Sequence, residues 1–379
     1  MQEIQGSNEI KIRLQMILKK IIEEIEKFAP PAYQESYDNC GLLTGHKEQE
    51  VNGAILCLDC TEAIVEEAIQ KKCNLIIAHH PIIFSGLKKL NGKNYVERTI
   101  IKAIQNNIAI YACHTNLDNV KNGVNKKIAD KLGLINTQIL SPKKTLLKKL
   151  VTFVPATFLA QVQENLFNAG AGNIGNYDSC SFVLEGTGSF RGNENSKPFI
   201  GEKGKLSLEK EIRLEVIFET INESHIISTL KQNHPYEEVA YDIYQLENYY
   251  QNIGSGMVGE LEKPVSEIEF LERLKTIFNL KLIKHTPLLS KSIKKVALCG
   301  GSGSFLLKNA INSKSEIYIS SDFKYHEFFD AENQILIADI GHYESEQFTP
   351  EIFYEIISNK FPTFASYLTE TNTNPVNYF

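Results

Sequence analysis

No stretch of the 379-residue chain is apolar for long enough to span a bilayer, and nothing near its start has the unbroken apolar core or cleavage site of a signal peptide. Glu9, Ile10, Lys11, Ile12, Arg13 and Leu14 alternate charge and hydrocarbon instead. The expectation is a cytosolic protein with no membrane partner. Excess positive charge is also missing. A formal charge of −6 excludes the broad basic field of a non-specific nucleic-acid binder. Paired cysteine motifs are scarce too. Seven cysteines (Cys40, Cys57, Cys60, Cys73, Cys113, Cys180, Cys299) are an odd number, several within strand-like runs, as expected of buried reduced thiols. Cys57-Leu-Asp-Cys60 has no second CxxC to complete a structural zinc site.

What is present reads as an α/β protein. Residues 10 to 28 carry apolar positions at helical spacing, and Ala29-Pro30-Pro31 ends the pattern. Strand-like 53 to 59, helical 61 to 72, apolar 75 to 78, helical 95 to 106 and strand-like 108 to 113 then predict parallel βαβ units. The rhythm returns with strands at 295 to 299, 316 to 320 and 334 to 340 and helices at 304 to 313 and 324 to 331. Between these blocks, residues 150 to 184 and 212 to 246 each read strand, helix, strand. Such a tandem suggests a ferredoxin-like α+β module inserted into a split outer domain. The joining stretch 185 to 207 is rich in Gly, Ser, Asn, Lys and Glu and predicts an exposed loop or hairpin.

Three apolar strands run into metal-ligating side chains. Leu75 to Ala78 is followed by His79-His80-Pro81, at the strand end where α/β folds bind ligands. Neighbours on an ideal strand face opposite ways, so both imidazoles reach one site only if the backbone turns there. Pro81 keeps His80 extended, which suits two ligands splayed toward two metals. Ile108 to Cys113 leads to His114 and, four residues on, Asp118. His114 is a candidate ligand or base, while Asp118 offers a hard oxygen or, alternatively, caps a helix starting near 123, as does Asn119. The strand QILIADI precedes Gly341-His342, and a helix there puts His342 and Glu346 on one face with Glu344 on another. Nitrogen and oxygen ligands without thiolate favour Zn, Mn, Fe(II) or Co. Two such ions around a bridging carboxylate would activate a shared water for hydrolysis.

Two other features border these strands. Cys299-Gly-Gly-Ser-Gly303 is either an anion-holding turn or a tight structural one, and it lacks the Lys-Ser/Thr of a P-loop. Asp322, Lys324 and His326 either face substrate or, in the case of Asp322, cap a helix.

In combination, Asp38-Asn39-Cys-Gly41-Leu42, LIIAHHPIIF (75 to 84), HTNLDNVKNGVN (114 to 125), GSGMVGEL (254 to 261), CGGSG (299 to 303), SDFKYHE (321 to 327) and DIGHYESE (339 to 346) make the chain resemble a known family. It is that of the NGG-interacting-factor-3-like dinuclear-metal proteins, which also carry the name GTP cyclohydrolase 1 type 2 homologue. The resemblance implies two divalent ions per subunit held by His79, His80, Asp118, His342 and Glu346, with Glu346 bridging. It implies a toroidal homohexamer, an outer domain of 1–145 and 251–379, and a PII/CutA-like insert of 146–250. Tyr37 stands where the family usually has Trp, and Ser320-Ser321 where it has Thr-Gly. The function expected is metal-dependent hydrolysis of a nucleotide or phosphorylated small molecule. The rivals are non-enzymatic metal storage or delivery, a regulatory scaffold, and a nucleic-acid-binding ring, the last opposed by the acidic balance.

Overall fold

A computed structural model describes residues 16–379. The chain divides into two compact units, one of residues up to Ser141 together with Asn252–Phe379, the other Pro142–Gln251.

Among the described residues the split unit carries two large sheets and a two-stranded ribbon. In the first, strands Ser366–Leu368, Ala54–Asp59, Leu75–His80 and Ala109–Ala112 run parallel, and Gly41–Thr44 closes the edge antiparallel. The second has the order Lys284–His285, Leu336–Asp339, Ile317–Ser321, Ser292–Ser302, Tyr250–Ser266 and Ile135–Lys143. Its Ser292–Ser302, Ile317–Ser321 and Leu336–Asp339 strands are mutually parallel. Covered on both faces, the parallel strands are apolar at their centres, and Ile55, Leu56, Ile76, Ile77, Ile317 and Leu336 are fully buried. The packing helices show the matching period. Leu18, Ile21, Ile22 and Ile25 line the buried face of helix Leu18–Phe28, which stops before Pro30.

Some expected bounds shift. Met16 and Ile17 form a short strand on Glu50–Val51, so the first helix begins at Leu18, and residues 10 to 15 of the expected helix lie outside the described residues. The stretch expected as a helix over 324 to 331 is a 3-10 helix, Tyr325–Ala331. Gly123 precedes helix Val124–Lys131, so neither Asp118 nor Asn119 caps it; both sit in a short helix of their own, Thr115–Asn119.

The Pro142–Gln251 unit runs strand, helix, strand, strand, helix, strand: Leu147–Val154, Leu159–Asn168, Ser181–Arg191, Leu206–Glu219, Glu223–Asn233 and Tyr241–Leu246. Its four strands pair antiparallel with the fourth beside the first and the third between first and second. Both helices cover one face, where Leu150, Val154, Val162, Leu166, Leu214, Val216, Ile226 and Leu230 form a core of their own. The stretch between Arg191 and Leu206 joins two paired strands, a hairpin connection.

Candidate metal centre

Parallel strands direct their carboxyl ends the same way, and the polar residues that follow them gather there. Asp59 ends one strand, His79 and His80 the next, and His114 and Asp118 follow a third. From the second sheet come Asp322, one residue beyond Ile317–Ser321, and His342, three beyond Leu336–Asp339. The strand continues through both adjacent histidines rather than turning before them, yet their rings stay close, with centroids 4.9 Å apart. Gly341 makes the last approach possible. Its φ of +92° is left-handed, and a Cβ there would meet the Glu344 carboxylate at 2.3 Å. The helix His342–Glu346 then sets His342 and Glu346 one turn apart, Nε2 to Oε2 3.2 Å.

Each imidazole is held by its Nδ1. That of His79 donates to the carbonyl of Cys113 at 2.9 Å, an acceptor with no proton of its own, so the neutral ring carries its lone pair on Nε2. His80 pairs through Nδ1 with Asp59 at 2.8 Å, His114 with Asp38 at 2.9 Å and His342 with Asp322 at 2.6 Å. This is the arrangement that orients a histidine toward a metal. The Nε2 atoms of His80 and His342 stand 3.3 Å apart, and both approach Glu346 Oε2, at 3.1 and 3.2 Å. On the other side of the same carboxylate, Oε1 lies 3.8 Å from His79 Nε2, which is 3.6 Å from Asp118 Oδ1.

Potential ligand atoms therefore fall into groups lying within 4.8 Å of one another: His80, His342 and Glu346; His79, Asp118 and Glu346; and His79, His80 and His114. His79 Nε2 and Asp118 Oδ1 are buried atoms without a hydrogen-bond partner, a costly state that a cation between them relieves. Donors that each approach an ion at about 2.0–2.2 Å stand a few ångströms apart, as these do. The residues present fit a metal ion.

The sequence profile of the Duf34/NIF3 (NGG1p interacting factor 3) family matches residues 16–375. The chain belongs to the Duf34/NIF3 family. A "GTP cyclohydrolase 1 type 2 homolog" of Bacillus subtilis is 37% identical over 370 residues, covering 95% of this chain and 98% of that one. Another protein of that name, from Halalkalibacterium halodurans, is 38% identical over 324 residues, 85% and 87% of the two chains. Among solved structures, a Bacillus cereus protein related to NIF3 superposes with a TM-score of 0.83 at 35% identity, covering 96% of this chain and 99% of that one.

In this Duf34/NIF3 chain the electrostatics follow from packing carboxylates against imidazoles. Burial opposes a charge on His80, but hydrogen bonds to Asp59 and Glu346 overcome it and push its pKa up to about 10. His342 is pushed up to about 11 in the same way, by Asp322 and Glu346. Burial and the charge of Glu346 push Asp118 up to about 7. Burial also works against an ionised Glu346, yet its histidine partners hold it well below the usual carboxylate range. A divalent ion bound among these groups would displace the protons that their raised pKa values favour.

The Gly-rich turn proves structural. Gly300 N–H donates to Asn125 Oδ1 at 3.0 Å and Gly301 N–H to Ser345 Oγ at 2.9 Å, so neither is free for an anion. A Cβ on Gly301 would meet Glu346 Oε1 at 2.4 Å, so glycine makes room for the central carboxylate. The buried Ser320 and Ser321 hydroxyls both donate to the Gly301 carbonyl and hold this turn in place. Asp322 neither caps a helix, since Lys324 is the cap of Tyr325–Ala331, nor stands free for substrate, since it holds His342. Cys57 and Cys60 are buried free thiols and join none of the ligand groups found among the described residues.

A cavity of about 790 Å³ adjoins the site, with His80, His114 and His342 on one wall and Phe84, Tyr343 and Val376 among the others. Lys284, the one lysine or arginine that lines it among the described residues, is paired with Asp339 at 2.7 Å. Reasoning from the sequence passed over Asp59 and Thr373, and met Asp38 and Asn125 only inside motifs. Thr373 Oγ1 donates to Asp59 Oδ2 at 2.8 Å, behind His80. The available signal for Asp59 was its place as the polar end of an apolar strand.

Proposed function

We propose that the protein is a dinuclear divalent-metal protein that hydrolyses a nucleotide or other phosphorylated small molecule, with His79, His80, Asp118, His342 and Glu346 as ligands and Glu346 between the two ions. The observation that carries this reading is the pair of three-donor groups sharing Glu346, one on each of its oxygens. Zn, Mn or Fe suits the nitrogen and oxygen donors. Bound there, such ions supply Lewis acidity and an activated water nucleophile. The chain does the rest. Asp59 and Asp322 fix the tautomers of His80 and His342, and His114, held by Asp38, stands at the cavity wall as a proton acceptor. Phe84 and Tyr343 line the cavity and would offer a bound substrate aromatic surface to pack against.

A second reading, metal storage, delivery or regulatory scaffolding without turnover, is favoured by one observation: among the described residues Lys284, the one lysine or arginine lining the cavity, is paired with Asp339 and so is poorly placed for a phosphate. We read the Pro142–Gln251 unit as a ferredoxin-like, PII/CutA-like insert on its strand order. The motif resemblance supports a cytosolic homohexamer, which light scattering would report as six times 42.8 kDa. The deciding experiment incubates metal-loaded protein with a panel of nucleotides and phosphate esters beside Glu346→Ala. Loss of a substrate in the first and not the second supports the hydrolase; equal rates across the panel leave the storage reading.

A further inference from the structure

The Pro142–Gln251 unit holds a cavity of about 470 Å³ lined by its own residues alone. Its walls are aromatic. Tyr236 lies between Phe190 and Phe199, with ring centroids 6.5 and 6.2 Å away, and all three line the space. Phe158 packs edge-on against Phe199 at 5.8 Å and backs that wall. Among the described residues the charged lining is mostly acidic, Glu211, Glu237 and Glu238 against the guanidinium of Arg191, and neutral residues such as Ser189, Asn193 and Ile200 complete it.

The sequence makes room for this arrangement. Gly188 stands where a Cβ would meet Glu211 Oε2 at 2.2 Å, so the missing side chain lets that carboxylate lie over the strand. Glu237 accepts from the Lys197 N–H at 2.7 Å, which ties the hairpin connection down so that Phe199 reaches the cavity. The Tyr236 hydroxyl is buried without a hydrogen-bond partner of proper geometry, although Glu211 is its neighbour. Aromatic faces carry negative quadrupole charge, and an excess of carboxylates adds to it, so the space attracts positive charge and repels anions.

We infer that this cavity is a binding site for a small organic cation, an alkylated or protonated amine, seated on Phe190, Phe199 and Tyr236 with Glu211 as its counter-charge. An alkylated ammonium is weakly hydrated and leaves water easily for aromatic faces. The site lies within the Pro142–Gln251 unit and needs no metal, so it stands or falls independently of the hydrolase reading.

Calorimetric titration of the full chain with choline, and with 3,3-dimethylbutan-1-ol as its uncharged isostere, tests the inference. Choline should saturate one site per chain, with the isostere about tenfold weaker or worse, since charge on an aromatic face contributes on that order. Glu211→Gln and Phe199→Ala should each weaken choline several-fold while Glu346→Ala does not. Glu211→Gln retains shape and keeps the test informative if Phe199→Ala fails to fold. Equal affinity for choline and its isostere, absence of saturation, or choline binding unmoved by Glu211→Gln would overturn the inference.

Discussion

Glu346 and Asp118 make different demands on the metal centre, and substitution separates them. Glu346 faces the two groups that share it, one oxygen to each, whereas Asp118 belongs only to the one with His79 and Glu346. Glu346→Ala should therefore abolish both ions, and Asp118→Asn should lose one and leave the His80–His342 group loaded. Metal-to-protein ratios by mass spectrometry after gel filtration read this directly; equal losses in both variants would contradict the division into groups. Asp59→Asn acts one bond further out. Asp59 is not itself a proposed ligand but holds one, His80, through Nδ1 at 2.8 Å, so metal affinity should fall about 10–100-fold with the protein still folded. An unchanged affinity measured against a competing chelator dye would show that His80 is oriented without it.

Elements explain which of these residues the sequence could announce. An apolar run that ends in two histidines states its chemistry locally, and so does a helix with His342 and Glu346 four apart. Asp59 reaches His80 because Ala54–Asp59 and Leu75–His80 pair in parallel with these two residues as register partners. That register depends on sheet assembly and no local pattern encodes it. The same holds for Asp322, whose link to His342 joins two strands, and for Asn125, whose amide donates to the Asp118 carbonyl while its oxygen accepts from Gly300. The C-terminal segment was equally silent. Its Thr369 and Thr371 hydroxyls and the Glu370 N–H all donate to Glu67, about 300 residues earlier in the chain, and Lys71 adds an ion pair at 2.9 Å. Burial alone would raise the Glu67 pKa, but these partners overcome it and hold it at about 2 against an ordinary 4.5. Between those values the unfolded chain binds the extra proton, so this carboxylate's stabilisation is complete above pH 4.5 and is lost as pH falls toward 2. Glu67→Gln should cost about 1–3 kcal/mol at neutral pH by urea unfolding, and its difference from the native chain should shrink through that window. A difference constant down to pH 2 would mean the carboxylate contributes by shape and not by charge.

At the scale of the whole molecule, the proposed metal ligands come from segments more than 200 residues apart, all within the split unit: His79, His80 and Asp118 from one block, His342 and Glu346 from the other. An ion bound only by the native arrangement stabilises it in proportion to RT ln(1 + [L]/Kd), and that free energy is delivered to the strands that end at the site. The Pro142–Gln251 unit contributes no ligand to these groups and has a separate core of Leu150, Val154, Leu214 and Phe218. Chelation should thus loosen the molecule unevenly. Amide exchange should quicken in 75–80, 114–119 and 341–347, where two carboxylates lose the charge that separates them. It should stay unchanged in 150–154 and 214–218. Because His80 and His342 carry raised pKa values and must release protons to ligate, the chelator needed for this effect should fall as the pH is lowered from 8 toward 6. Exchange that quickens to the same extent in both units would show that metal binding is coupled to the Pro142–Gln251 unit, and would move the insert from bystander to part of the metal response.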